Sequence, residues 1–494
     1  MKNIGLLITI FVCAALFFSC GDKTPVSTTP PTGEDWTENT SSATEELPDI
    51  PLSADFGGEN FYIYSAGNVA YEDFTAEETD TTPLEIAQYR CRQRVETDYN
   101  IRIVQTSEKA YSSGNGPGFK KINTMVNSGE CPCDLALIAG YDVTMLGAAG
   151  MLYDLKSIPD IHLEKSWWDQ NANESLEYLD VLFYTTGDIT CSDNNAAYVI
   201  MFNKNMLENY SLPSPYEMVY SGDWDMENFK ALCKAVTEDL DQNDVMDEND
   251  RFGLLVWVDS NLGMVHAAGQ RCCVINGDQI ELTLYNETTL QAVEQYLAFA
   301  LDKQHALQYQ AIHNTAEFSQ QLWAGDHGLF WTTTMGDVQR FRETESDFGL
   351  LPYPKLTKEQ DRYYSTITPF NSQFICVPLI QNDVDRTGLI TEALAYYGQK
   401  EVLPAYYEVN LKGVHSRDEE SLDMIDIIFD NLVYDIGFFY QIGPYNKHLN
   451  YMVSRAQNNF ASMYDSLYPA AQAQIANIQK SYAAAAQQWH ETGK

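Results

Sequence analysis

The chain has 494 residues, 45% of them hydrophobic and 12% aromatic, with a formal net charge of −40 at pH 7. Such acidity excludes a nucleic-acid binder, which needs basic patches to displace phosphate counterions. The apolar content is ample for one large or two medium domains.

Taken in chain order, Met1-Lys2-Asn3 supplies one positive charge, and Ile4 to Ser19 is a nearly unbroken apolar run. That is the pattern of a signal-peptide core over residues 1–19, and no later stretch approaches the length of a membrane span. The run ends in Phe17-Phe18-Ser19-Cys20-Gly21-Asp22. A small residue before a cysteine resembles the bacterial lipobox, although Phe17 stands where Leu is usual. The resemblance implies that Cys20 is diacylated and forms the mature N-terminus. Residues 20–53 then read as the lipidated cysteine and a disordered tether, because Thr, Pro, Ser, Asp and Glu bury too little apolar surface to fold.

Beyond the tether, strands and helices alternate. Phe61 to Tyr64 is a predicted strand, and Thr82 to Asp98 a helix with Thr82 as cap and Pro83 in its first turn. Strands follow at 101–104 and 134–138, separated by a helix at 119–126. The alternation continues with a strand at 197–202, helices at 203–209 and 225–237, a strand at 252–258 and a helix at 290–301. Short buried strands are predicted at 328–332, 348–351 and 374–377. Helices at 387–397, 424–429 and 468–487 complete the chain. This order predicts an α/β protein with parallel-type sheets.

The cysteines lack metal or redox spacing. Cys131-Pro132-Cys133 and Cys272-Cys273 are not CxxC pairs and have no histidine pair nearby, so the reading is buried free thiols. No GxSxG, HExxH or glycine-rich phosphate loop is present, which argues against an enzyme. A glycoside hydrolase needs only two carboxylates, and a surface adhesin no chemistry at all, so both stand as alternatives.

One acidic run has a spacing of its own. Asp239, Asp241, Asn243, Val245, Asp247 and Asp250 fall at positions 1, 3, 5, 7, 9 and 12 of an EF-hand-type loop. Alternate oxygens turned inward suit a hard cation, so the expectation is a structural Ca²⁺ ion. Asp244 replaces the usual glycine, and Asp250 the longer glutamate.

The runs Thr186 to Asn194 and Tyr198-Val199-Ile200-Met201-Phe202-Asn203-Lys204 resemble the extracellular solute-binding proteins of ABC transporters, in the cluster related to maltose-binding protein. Gly222-Asp223-Trp224-Asp225, Asp347 to Lys355 and Arg417 to Met424 agree in order and spacing. The resemblance implies a two-lobed periplasmic-binding-protein-like fold (type II) whose lobes are joined by hinge segments. The N-terminal lobe would be 54–190 plus 372–435, and the C-terminal lobe 191–371 plus 436–494. It further implies a small-molecule ligand, a membrane permease as partner, and a monomer held by its lipid anchor on the outer face of the cell membrane.

Sugar faces stack on aromatic rings while carboxylates and amides take the hydroxyls. The aromatic content therefore points to a sugar or oligosaccharide. Candidates at strand ends are Tyr64 and Tyr141 in one lobe and Trp257 and Trp331 in the other, with Asp188 near the hinge and Asn195 behind it. Trp167, Trp168 and Trp323 read as packing residues.

Overall fold

The computed structural model describes residues 46–69, 71–130, 133–341, 346–411 and 419–493. Cys20, the apolar leader and most of the tether lie outside the described residues.

Local signals act where the sequence places them. Thr82 caps the helix Pro83–Tyr99 by accepting from the backbone of Glu85, whose side chain reaches back to Thr82 in a capping box. Asn100 ends that helix in the left-handed region at φ 47° and turns the chain directly into the strand Ile101–Lys109.

The first sheet has the order Gln373–Cys376, Leu135–Ala139, Glu59–Gly67, Ile101–Lys109. Its three early strands are parallel, and Gln373–Cys376 runs antiparallel to Leu135–Ala139 at one edge. Leu135–Ala139 is buried along its whole length, as its unbroken apolar run requires.

The second sheet runs Phe348–Leu351, Tyr198–Asn203, Gly328–Thr334, Phe252–Leu255, Ala306–Leu307. Tyr198–Asn203 is antiparallel to both of its neighbours, whereas Phe252–Leu255 is parallel to both of its own. The strand expected at 252–258 stops at Leu255 because the chain turns there into the helix Ser260–Ala267. A hairpin of Cys273–Asn276 and Gln279–Leu282, absent from the predicted elements, turns on Gly277 at φ 58°.

Three segments pass between the two sheets side by side. Thr185 bridges Ile375 at the first sheet, and Ala197 bridges Ile367 before entering the second. Between them the short helix Ser192–Ala196 exchanges hydrogen bonds with the return segment, Ser192 Oγ to Gln373 O and Gln373 N to Ser192 Oγ, both 3.0 Å. Thr366 pairs in parallel with Val433, which brings the third segment alongside.

The last helix, Phe460–Thr492, touches both sheet regions. Tyr464 stacks on Tyr285 at 4.7 Å, while Tyr482 meets Phe183 at 5.2 Å and Trp489 meets Tyr153 at 5.3 Å. Residues 436–494 were expected with the second lobe, but the apolar stripe of this helix covers part of the first lobe too.

Trp167 and Trp168 are buried anchors. Their indole N–H groups donate to the buried carboxylate of Glu392 at 3.0 and 2.9 Å. Cys91, Cys191, Cys233, Cys272, Cys273 and Cys376 are buried free thiols, and Cys133 is buried as well. Among the described residues, no helix is long and apolar enough to cross a membrane.

Candidate functional site

The strand Leu135–Ala139 delivers the chain to Gly140, where a helix begins at once. A Cβ on Gly140 would lie 2.5 Å from Pro369, so only glycine lets the return segment pass this close. Tyr141 follows on the first turn. Its ring meets Phe370 at 6.5 Å and Phe438 at 6.1 Å, and its hydroxyl lies 3.5 Å from Asn446 Nδ2. Asp142 beside it holds the loop that carries Tyr111, accepting from the backbone of Gly114 and Gly116 at 3.0 Å each. Tyr111 in turn packs edge-on against Phe370 at 5.5 Å.

The second sheet faces this with the turn after Phe252–Leu255. Trp257 is partly exposed, its backbone N–H fixed by Thr332 Oγ1 at 3.0 Å and its ring against Tyr198 at 4.7 Å. Asp259 accepts from Asn450 Nδ2, on the helix Tyr445–Ser454. Burial raises its carboxyl to about 6. Its charge also reaches Tyr141 across from the first lobe, where it adds to burial in pushing the phenol up. Asn450 Oδ1 is buried without a partner. The arrangement is a carboxylate and an amide with unused hydrogen-bonding capacity, flanked by aromatic rings from both lobes.

Of the residues expected at the ligand, the structure brings Tyr141 and Trp257 together here. Tyr64 lies instead inside the first lobe at 2% exposure, its hydroxyl on Glu108 at 2.9 Å and Lys121 Nζ 4.3 Å above its ring. Trp331 is 2% exposed in the middle of the second sheet, 4.6 Å from Phe341 and 6.2 Å from Tyr309, and so belongs to the core. Asn195 turns inward on the crossing helix, where its carbonyl accepts from Tyr406 at 3.0 Å. Asp188 lines a separate cavity of about 430 Å³ beside the first crossing. Its carboxyl is raised to about 7 by burial, against a hydrogen bond from Gln399 and with the neighbouring Asp169 adding to the rise.

The sequence reading missed Asp259, Asn450, Asn446, Tyr111 and Phe370. Asp259-Ser260 just after an apolar strand was a visible helix-start signal. Nothing local marks Asn450, whose helix is distant in sequence.

The acidic loop folds into a compact cluster. Asp239, Asp241 and Asp250 bring carboxylate oxygens within 4.8 Å of one another. Asp244 adopts φ 64°, the left-handed turn that glycine usually supplies at that position. Asp250 is fully buried and accepts from the backbone of Leu240 and Asp247 at 2.9 Å each. Asn243 and Asp247 spend side-chain oxygens on Val245 N and Asn249 N, at 2.7 and 2.9 Å. Three converging carboxylates repel one another without a cation, so these donors fit a divalent ion, with Asp239, Asp241 and Asp250 as its holders. The other close triad, His266, Cys272 and Asp435, is saturated. Asp435 accepts from His266 at 3.0 Å and from the backbone N–H groups of Cys272, Cys273 and Gly437.

A two-lobed α/β fold with aromatic rings and a carboxylate meeting between the lobes defines a class of ligand-clamping proteins. The sequence profile of the bacterial extracellular solute-binding proteins matches residues 75–372, and the chain belongs to that family. Solved structures with a similar fold include an ABC substrate-binding protein from Listeria monocytogenes in complex with cycloalternan, at 13% identity and TM-score 0.53 over 86% of this chain and 99% of that one. Another is the cyclic alpha-maltosyl-1,6-maltose binding protein from Arthrobacter globiformis, at 12% identity and TM-score 0.56 over 86% and 100%. The galacto-N-biose-/lacto-N-biose I-binding protein of an ABC transporter from Bifidobacterium longum matches at 13% identity and TM-score 0.53 over 86% and 99%. No curated protein sequence matches significantly.

Proposed function

We propose that this solute-binding protein captures an oligosaccharide between its lobes and presents it to the permease of an ABC transporter. The observation that carries this reading is Asp259 with Asn450, set between Tyr141 of one lobe and Trp257 of the other. Hydroxyls suit the carboxylate and the unpartnered amide oxygen, and sugar faces suit the rings. The complexes of similar fold with cycloalternan and with lacto-N-biose support the same reading.

A thermal-shift screen against an oligosaccharide panel tests it. A ligand at 100 times its dissociation constant stabilises by about 2.7 kcal/mol, and Trp257→Ala should weaken binding by about 1–3 kcal/mol with the fold intact. Stabilisation by peptides alone, with none by any saccharide, rules the reading out.

Cys20 anchors the chain to the outer face of the membrane in the same proposal, supported by the apolar leader that precedes it. Cys20→Ala should then move the protein from the membrane fraction to the soluble one, and a variant still bound after a high-salt wash refutes the anchor. The loop Asp239–Asp250 holds a structural Ca²⁺ ion, supported by its three converging carboxylates. The protein works as a monomer.

A further inference from the structure

Tyr111 is the most exposed large apolar side chain among the described residues, at 69%, yet the loop that carries it is firmly held. That loop joins the strand Ile101–Lys109 to the helix Pro117–Ser128. Asp142, buried beneath it, accepts from the backbone of Ser113, Gly114, Gly116 and Phe119 at 3.0 to 3.4 Å. Gly116 is required there, since a Cβ would lie 2.8 Å from the carbonyl oxygen of Tyr111. Asn68 ties the loop to the return segment, accepting from Ser112 N at 3.2 Å and donating to Phe370 O at 2.7 Å. Gln441, from the segment after Val433, donates to Ser113 O at 3.3 Å.

A lone exposed aromatic residue calls for no explanation. Tyr111 is not alone. Its ring meets Phe370 at 5.5 Å, and Phe370 meets Tyr141 at 6.5 Å, so an unbroken row of rings leads from solvent to the solute cleft. Exposure falls along the row, from Tyr111 through the partly buried Phe370 to the buried Tyr141. The Tyr111 phenol is also close enough to add, after burial and Asp259, to the rise of the Tyr141 phenol. Each step between rings is about the size of one sugar ring. A disaccharide seated at Tyr141, Asp259 and Trp257 therefore falls short of Tyr111, whereas a longer chain running along the row reaches it. Because the loop is fixed beforehand, little freedom is lost when a sugar stacks on the ring.

We infer that Tyr111 is a stacking subsite at the mouth of the cleft, and that it selects saccharide chains longer than a disaccharide. This role rests on the saccharide reading of the cleft and gives it a length. Stacking needs the face of a sugar and no particular hydroxyl, so Tyr111 reads length without reading linkage.

Calorimetric titration of the full chain with maltose and maltohexaose, and with xylobiose and xylohexaose, tests it. Where the saccharide screen finds another linkage, its disaccharide and hexasaccharide take their place. The hexasaccharide is expected to bind more tightly than the disaccharide. Tyr111→Ala should weaken the hexasaccharide about fivefold, the worth of one aromatic contact, and change the disaccharide by less than about twofold. Tyr111→Phe should bind both as the unaltered protein does, because the ring makes the contact. Unchanged melting of the unliganded variants shows that the fold is intact. Equal weakening at both lengths, no weakening at either, or a loss in Tyr111→Phe as large as in Tyr111→Ala overturns the subsite and leaves the saccharide reading standing. A hexasaccharide held no more tightly than its disaccharide does the same. Failure of every saccharide to bind overturns both.

Discussion

Removing the indole of Trp331 should cost about 3–5 kcal/mol of folding stability, the range for truncating a buried aromatic residue. The ring is 2% exposed between Tyr309 and Phe341 on a central strand, and its neighbours have no freedom to fill the space. Chemical denaturation of Trp331→Ala measures this, and a loss below 1 kcal/mol would contradict the core assignment. Trp257 has the opposite surroundings. Its backbone is tied to Thr332 and its ring packs edge-on with Tyr198, while the residue stays partly exposed, so the same truncation there should act on the proposed saccharide binding rather than on folding.

The loop Asp239–Asp250 is the element whose stability should depend on its surroundings. It packs negative oxygens of Asp239, Asp241 and Asp250 into one cluster, and the charges of Asp250 and Asp239 add to desolvation in raising the Asp241 carboxyl. The proposed divalent cation would relieve that repulsion and tie the end of the helix Met226–Val236 to the start of Phe252–Leu255, which flank the loop. Chelation should therefore lower the melting temperature, and Asp241→Ala should remove the sensitivity to chelator. Identical melting curves with and without chelator count against a resident ion. Helix starts in this protein need no such ion, as the Thr82–Glu85 capping box shows.

For the whole molecule, two behaviours follow from the lobes and their buried acids. Ligand that bridges Tyr141 and Trp257 favours the closed arrangement of the lobes only through unequal affinity for the two states. Solution scattering should show a smaller radius of gyration with saturating saccharide. A proven ligand that leaves the radius unchanged dismisses the clamp.

The second behaviour concerns pH. Asp188 and Glu392 are raised to about 7, and Asp73 and Asp259 to about 6, each chiefly by burial. An acid whose folded-state pKa is raised binds more protons folded than unfolded, so stability is lost as pH rises through that value. The melting temperature should therefore climb on going from pH 8 to 6.5. Below pH 6.5 the protonation of Asp73 and Asp259 adds to the rise, while His266 and His448, both lowered by burial, oppose it because they favour the unfolded state when protonated. Asp188→Asn should flatten the slope between pH 8 and 6.5, and a slope unaltered in that variant would show that other groups set it.

The sequence alone determined whatever depends on neighbours along the chain. Thr82 and Pro83 placed a helix start, the alternation of apolar runs gave two α/β lobes, and the spacing from Asp239 to Asp250 marked the acidic loop before any fold was known. The positive φ of Asp244 was legible there too, because a tight loop at that spacing needs a left-handed residue. Tertiary structure alone decided which aromatic residues are drawn to the region between the lobes. Tyr64 and Tyr141 were both expected at strand ends, yet Tyr64 lies within the strand Glu59–Gly67 with its hydroxyl on Glu108 and Lys121 above its ring, whereas Tyr141 stands on the first turn of a new helix between the lobes. The partners of Asp259 and Asp188 were equally invisible, for Asn450 and Gln399 come from helices far along the chain. Periodicity reports which face of an element is buried, but not whether core, cleft or cavity does the burying, because that depends on contacts between residues hundreds of positions apart.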